Sequence, residues 1–196
     1  MANHCFREPN TPASLIWRCT RLAAFFTIIY AALLAFTNPT TNGFTVGWSP
    51  ALKLRHNLAY GRRNRSAAIR IPMYSPNPKN KRIEFRCPDP SCNPYLAFSA
   101  ILMAMIDGIA NRMEPGDAVD DDLYSMTNEQ LRGIQAAPDS LERSMQALAE
   151  DNAFLRVGDV FSEDLIATWI SAKRDAEINP SRLQPTPMEY CMYFDV

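Results

Sequence analysis

The chain has 196 residues, 47% of them hydrophobic, which is enough apolar material for one globular domain of ordinary size. Its 20 basic and 21 acidic side chains leave a formal net charge of −1. That balance gives no broad positive field to draw in nucleic acid or anionic lipid, so any basic site must be local. Cys5, Cys19, Cys87, Cys92 and Cys191 form no C-x-x-C pair, and only His4 and His56 are available as neutral metal ligands. The cysteines read as reduced thiols of a cytoplasmic protein.

Residues 22–36 (LAAFFTIIYAALLAF) are uncharged and follow Arg18 and Arg21, in the outline of a signal-peptide core. A spanning helix needs about 20 apolar residues. This run is shorter, and the TNPTTN that follows offers no clear small-x-small cleavage site, so no membrane anchor is expected. Residues 37–96 are rich in proline, arginine and asparagine and predict strands joined by turns. RSAAIRIP (65–72) and KRIEFRCP (81–88) each alternate polar and apolar residues and each stop at a proline, as half-buried strands do. MYSPNPKN (73–80) between them has turn chemistry, so the two strands should pair antiparallel. Glu84 and Arg86 lie two apart on the second strand and therefore share a face.

From Asn93 the period becomes helical. PYLAFSAILMAMIDGIANRM (94–113) starts with proline in the first turn and is apolar almost all round, which predicts a buried helix. An acidic loop follows, EPGDAVDDDLYSM (114–126). Two further helices are predicted over 140–157 and 162–178, with Ser140 and Ser162 as N-caps. The fold class expected is α+β: a few antiparallel strands from residues 57–90, then a helical carboxy-terminal region.

The chemistry concentrates in the strand pair. Arg62, Arg63, Arg65, Arg70, Lys79, Lys81, Arg82 and Arg86 fall within one short stretch of a nearly neutral chain, and Glu84 is the only acid among them. Guanidinium groups on rigid strands match phosphate and carboxylate oxygens, and a lone glutamate among them suits a divalent ion that bridges phosphates. Phosphate or nucleotide handling is the implied chemistry. A solvated basic face of an edge strand, with Glu84 as a local counter-charge, is the competing structural reading.

NPTTN (38–42), NRSAAIRIP (64–72), KRIEFRCPDPSCNPYLAFSAIL (81–102), DGIANRMEPGD (107–117), VFSEDLIATWISAKRDAEI (160–178) and the closing EYCMYFDV resemble, in order and spacing, the carboxy-terminal part of type I glutamine synthetases. The resemblance implies ATP-dependent ligation of ammonia to L-glutamate through a γ-glutamyl phosphate, with magnesium or manganese neutralising charge. It implies that Arg65 is catalytic and touches both ATP and glutamate; removing such a cation typically costs about 3 kcal/mol of transition-state stabilisation. It further implies that Arg70 and Lys79 hold ATP phosphates, that Glu84 is a metal ligand and that Arg86 binds the glutamate carboxylate. Tyr124, in VDDDLYSM, has the placement of the family's adenylylated tyrosine. The family assembles as a cytoplasmic dodecamer without nucleic acid or membrane.

The resemblance breaks in two places. Residues 1–30 show no recognisable block of the family and stay unassigned, while 31–196 read as a partial catalytic domain. Within it, GFTVGWSPALKLRHN (43–57) stands where the family has a flap segment of the form Y-x-R-L-V-P-G-[FY]-E-A-P. Codons allowed for Gly47–Arg55 spell Leu-Val-Pro-Gly-Phe-Glu-Ala-Pro in another frame, so 43–56 is read as an out-of-frame flap. With the upstream metal ligands and the flap glutamate missing, the chain is expected to be truncated and inactive alone. A non-catalytic partner docking onto intact synthetase oligomers is the alternative, and a small membrane-anchored protein using residues 22–36 is a third reading.

Overall fold

A computed structural model describes residues 30–42, 59–62, 64, 66–72, 82–113, 117–123, 126–132, 134 and 136–195. The amino terminus through residue 29, residues 43–56, read as an out-of-frame flap, and the stretch 73–80 expected to turn lie outside them. The elements in chain order are α1 (Tyr30–Thr37), β1 (Tyr60–Arg62), β2 (Ile69–Ile71), β3 (Glu84–Phe85), α2 (Pro94–Ala110), α3 (Asn128–Leu131), α4 (Leu141–Glu150), α5 (Ala153–Arg156), α6 (Glu163–Lys173), α7 (Asn179–Arg182) and α8 (Pro187–Tyr193).

The end of the long apolar run is a core helix. Ala32 to Phe36 of α1 are all buried, and the helix packs mainly on α4 and α2. No helix among the described residues is long and apolar enough to cross a membrane. Pro39 has no N–H, so it cannot close the helical bond to the carbonyl of Ala35 four residues back. The indole of Trp169 on α6 supplies the missing donor, Nε1 to the Ala35 oxygen at 3.1 Å. Its ring stacks on Phe36 at 5.6 Å, and Phe161 meets Phe36 from another side at 5.2 Å. Leu33, Leu34, Leu141, Met145, Leu148 and Leu155 complete this core. The Ser144 hydroxyl, also buried there, has no hydrogen-bond partner among the described residues.

The sheet is mixed, in the order β1-β2-β3. β2 and β3 pair antiparallel as the alternation predicts, with Ile69 opposite Phe85 and Arg70 opposite Glu84. β1 differs from the all-antiparallel expectation: it runs parallel to β2, Tyr60 opposite Ile69. Residues 63–68 are too few for a crossover helix. The return is made instead by a turn in which Asn64 Oδ1 accepts from the Ser66 N–H at 2.8 Å. The sheet is tied to α1 where Asn38 Nδ2 donates to the Cys87 carbonyl at 2.9 Å and the Asp89 N–H donates to the Thr37 carbonyl at 2.8 Å.

α2 begins as its sequence implies, with Asn93 capping the Tyr95 N–H and Pro94 in the first turn. It ends three residues before Met113: Arg112 takes φ 52°, and the N–H groups of Arg112 and Met113 bond to the carbonyls of Ile109 and Gly108. That is a left-handed helix stop without the usual glycine. The expectation of a helix buried all round is not met. Ala97, Ala100, Met103, Ala104 and Gly108 are buried, whereas Tyr95, Phe98, Leu102, Ile106 and Ile109 are exposed. The face carrying Ala100, Met103 and Ala104, flanked by Leu96 and Ile101, packs on the core.

The helix predicted over 140–157 is broken into α4 and α5. Ser140 caps it, but Asn152 turns its side chain back to donate to the Leu148 carbonyl at 3.0 Å, closing the helix end in place of the next backbone turn. α6 starts on Ser162, which accepts from the Leu165 N–H at 3.1 Å. Residues Arg174–Ile178 widen into a π-helical turn before α7. Pro180 explains the widening, since its ring would collide with the carbonyl four residues earlier in a regular helix.

Candidate functional site

The sequence-predicted site residues divide into those the structure places and those it does not describe. Arg65, Lys79 and Tyr124 lie outside the described residues; Arg70, Glu84 and Arg86 lie within them. The pairing of β2 with β3 sets Arg70 directly opposite Glu84, so their side chains rise from one face of the sheet. Arg70 Nε stands 2.9 Å from Glu84 Oε2, and Arg82 Nε stands 3.5 Å from Glu84 Oε1. One carboxylate thus serves two guanidinium groups. Arg86 continues the ladder beyond β3, its N–H donating to the Ala68 carbonyl at 3.0 Å.

This pairing is loose in a way that matters. The side chains of Arg70 and Glu84 are 28% and 30% exposed, so water screens the pair and its net contribution is about 1 kcal/mol or less. Arg70 Nε is enclosed, yet its N–H makes no hydrogen bond to the carboxylate and has no acceptor among the described residues. An incoming phosphate oxygen that aligned with that N–H would gain a charge-assisted hydrogen bond while displacing only a weak one. The arrangement is suited to binding an anion on the face shared by Arg70 and Arg82.

The same residues do not by themselves fit a divalent ion. Among the described residues no three His, Cys, Asp or Glu side chains cluster where they could hold a metal. Both Glu84 oxygens face guanidinium groups, and a hard cation takes about six oxygen ligands. A metal bound at Glu84 would have to displace Arg70 or Arg82.

The sequence reasoning missed a second group of residues. Asn64 Nδ2 donates to the carbonyls of Val119 and Asp121, both at 2.8 Å, and the Arg62 N–H donates to Asp120 Oδ1 at 2.6 Å. The acidic segment 117–123 therefore runs against β1 and the turn that follows it. Gly61 is required there: a Cβ at that position would come within 2.2 Å of the Val119 oxygen. An N-x-S spacing hints at a local side-chain turn, but nothing in the sequence says which distant segment it holds.

Elsewhere, burial pushes the Cys92 thiol up, with the Asp89 charge adding to it, so Cys92 is not an activated nucleophile. Asp107 on α2 is also pushed up, chiefly by burial.

Comparison with known proteins gives the site its context. A family model described as "Glutamine synthetase, catalytic domain" matches residues 5–193. The glutamine synthetase of Frankia alni is 52% identical over 165 residues, covering 84% of this chain and 35% of that protein. That of Aquifex aeolicus is 54% identical over the same length and shares. A cryo-EM structure of Plasmodium falciparum glutamine synthetase superposes with a TM-score of 0.77 at 25% identity, over 96% of this chain and 44% of that one. The chain spans about a third of the length of these curated relatives. Strand pair, helical carboxy-terminal region and sequence agree, and the chain belongs to the glutamine synthetase catalytic domain family.

Proposed function

We propose that this chain forms the phosphate-binding and carboxylate-binding wall of a glutamine synthetase site, and that alone it does not complete the ligase reaction. The observation that carries the reading is the Arg70–Glu84–Arg82 constellation on β2 and the β3 segment. In the overall reaction the glutamate γ-carboxylate takes the γ-phosphoryl group of ATP, releasing ADP. Ammonia then attacks the acyl carbon, phosphate leaves with the bonding electrons, and the nitrogen sheds a proton. A divalent ion would neutralise charge on the phosphates, and it would need oxygen ligands beyond Glu84.

The chain's own contribution is positive charge at fixed positions. Arg70 and Arg82 meet triphosphate oxygens, and Arg65 and Lys79 join them by family resemblance. Arg86 takes the glutamate carboxylate. Glu84 holds the two guanidinium groups until ligand arrives; with both oxygens so engaged, it could contribute to a metal site only if Arg70 or Arg82 moved aside. Tyr124, following the acidic segment, is the position for adenylylation.

Calorimetric titration of the chain with ATP tests this. Micromolar to millimolar binding that weakens with salt and falls about tenfold or more in Arg70→Ala supports it. Binding that Arg70→Ala leaves unchanged would refute it. No glutamine should form from glutamate, ammonia and ATP with this chain alone; turnover above the uncatalysed rate would overturn that part.

A second reading, a non-catalytic partner of intact synthetase oligomers, is favoured by one observation. Tyr95, Phe98, Leu102, Ile106 and Ile109 form an exposed apolar stripe along α2. Co-purification with a full-length synthetase supports it, and a monodisperse chain that ignores added synthetase counts against it.

A further inference from the structure

The hydrogen bonds between the acidic segment and the basic turn converge on two side chains. Asn64 is 5% exposed and has every polar position filled. Its Nδ2 donates to the Val119 and Asp121 carbonyls, and its Oδ1 accepts from both the N–H and the hydroxyl of Ser66, the latter at 2.6 Å. Ser66, 2% exposed, passes the connection on: its hydroxyl donates to Asn64 and accepts from the Leu123 N–H at 3.0 Å. Leu123 is itself buried with Ala59 and Ala67 in a small apolar cluster beneath the segment. The Val119 N–H adds a bond to the Tyr60 carbonyl at 2.9 Å.

We infer that Asn64 and Ser66 are positioning residues: they latch segment 117–123 to the β1–β2 connection, so that the two segments move and order as one unit. A buried amide with two donors and two acceptor sites all engaged has no substitute among the other side chains. Aspartate lacks the donors, leucine lacks everything polar, and glutamine is one methylene too long. Ion pairing alone would hold the segments loosely, because Asp117, Asp120, Asp121 and Asp122 are exposed. The buried bonds give a fixed register instead. Arg65 sits between the two latch residues in the chain, and Tyr124 follows Leu123. A disturbance of either segment is therefore transmitted to the other.

Hydrogen exchange on the full chain, read at single amides, tests the latch without any ligand. Asn64→Asp keeps the Oδ1 acceptor for Ser66 but loses both donors to the acidic segment. It should speed exchange at Val119 and Leu123 by about tenfold or more, since two hydrogen bonds of ordinary strength, about fivefold each, are lost. Ile166 on α6 should not change. Ser66→Thr keeps the hydroxyl and should preserve Leu123 protection, whereas Ser66→Ala should lose it. Asp120→Ala, an exposed substitution on the other side of the latch, should speed exchange at the Ser66 amide. Unchanged Val119 and Leu123 in Asn64→Asp would overturn the inference, as would a Ser66 amide indifferent to Asp120→Ala. An equal rise at Ile166 would also overturn it, because Asn64 would then support the whole fold. Failure of ATP to bind would leave these results intact, so the latch and the nucleotide reading fail separately.

Discussion

Replacing Glu84 by glutamine separates two roles for the one acid in the basic stretch. At 2.9 and 3.5 Å from Arg70 and Arg82, the carboxylate offsets one of two positive charges. Glutamine keeps the shape and removes the charge, so the local sum rises from +1 to +2. Two unit charges about 4 Å apart interact by about 1 kcal/mol in water. A triphosphate approaching this half-exposed face should therefore bind about fivefold more tightly to Glu84→Gln when no divalent ion is present. With magnesium the expectation reverses. If Glu84 supplies a metal oxygen, the variant loses that ligand and the added affinity that magnesium gives the unmodified chain. Fluorescence anisotropy with a labelled ATP analogue at low ionic strength, with and without magnesium, reads both limbs. Weaker metal-free binding in the variant would refute the electrostatic argument, showing that Glu84 organises the guanidinium groups more than it cancels them.

Trp169→Phe should cost about 1–3 kcal/mol in urea unfolding, because the buried Ala35 carbonyl loses its donor while the stacked ring on Phe36 remains. Adding Pro39→Ala should recover part of that loss by restoring a backbone N–H; no coupling between the two changes would contradict the account. Ser144→Ala should stabilise by about 1 kcal/mol, since it removes a buried unpartnered hydroxyl and suits the helix better, and a lowered Tm would count against it. Asp107 is pushed up by burial, pulled down by the Asn111 side chain, and raised again by Asp151. Its folded pKa exceeds its unfolded one, so its stabilising increment is fully present below the unfolded pKa and is lost as pH rises through the folded value. Asp107→Asn should thus match the unmodified chain in acid and exceed it in Tm at neutral pH; identical pH profiles would refute this.

Much of the fold was legible wherever the signal was local. Alternation in RSAAIRIP and KRIEFRCP marked the antiparallel pair, although its register, Arg70 opposite Glu84, is set by the folded sheet. Asn93–Pro94, Ser140 and Ser162 marked helix starts because capping is decided within a few residues. Other features depend on distant partners and were not legible. The parallel placement of β1 rests on Asn64 and on backbone from 119–121, more than fifty positions away. The exposed face of α2 could not be foreseen, since composition tells which residues are apolar and not what covers them. Asn152 ended α4 by a side-chain bond that competes with the helix it follows. The site was legible as a cluster of cations, and the sharing of Glu84 between two of them emerged only from strand register.

The central claim is that the face carrying Arg70, Arg82 and Glu84 receives the ATP phosphates. An amide-resolved NMR titration of the chain with ATP locates the ligand directly. Shifts centred on Ile69–Ile71 and Arg82–Arg86, saturating together, are the predicted result. Shifts confined to the carboxy-terminal helices, or none at millimolar ATP, would contradict it.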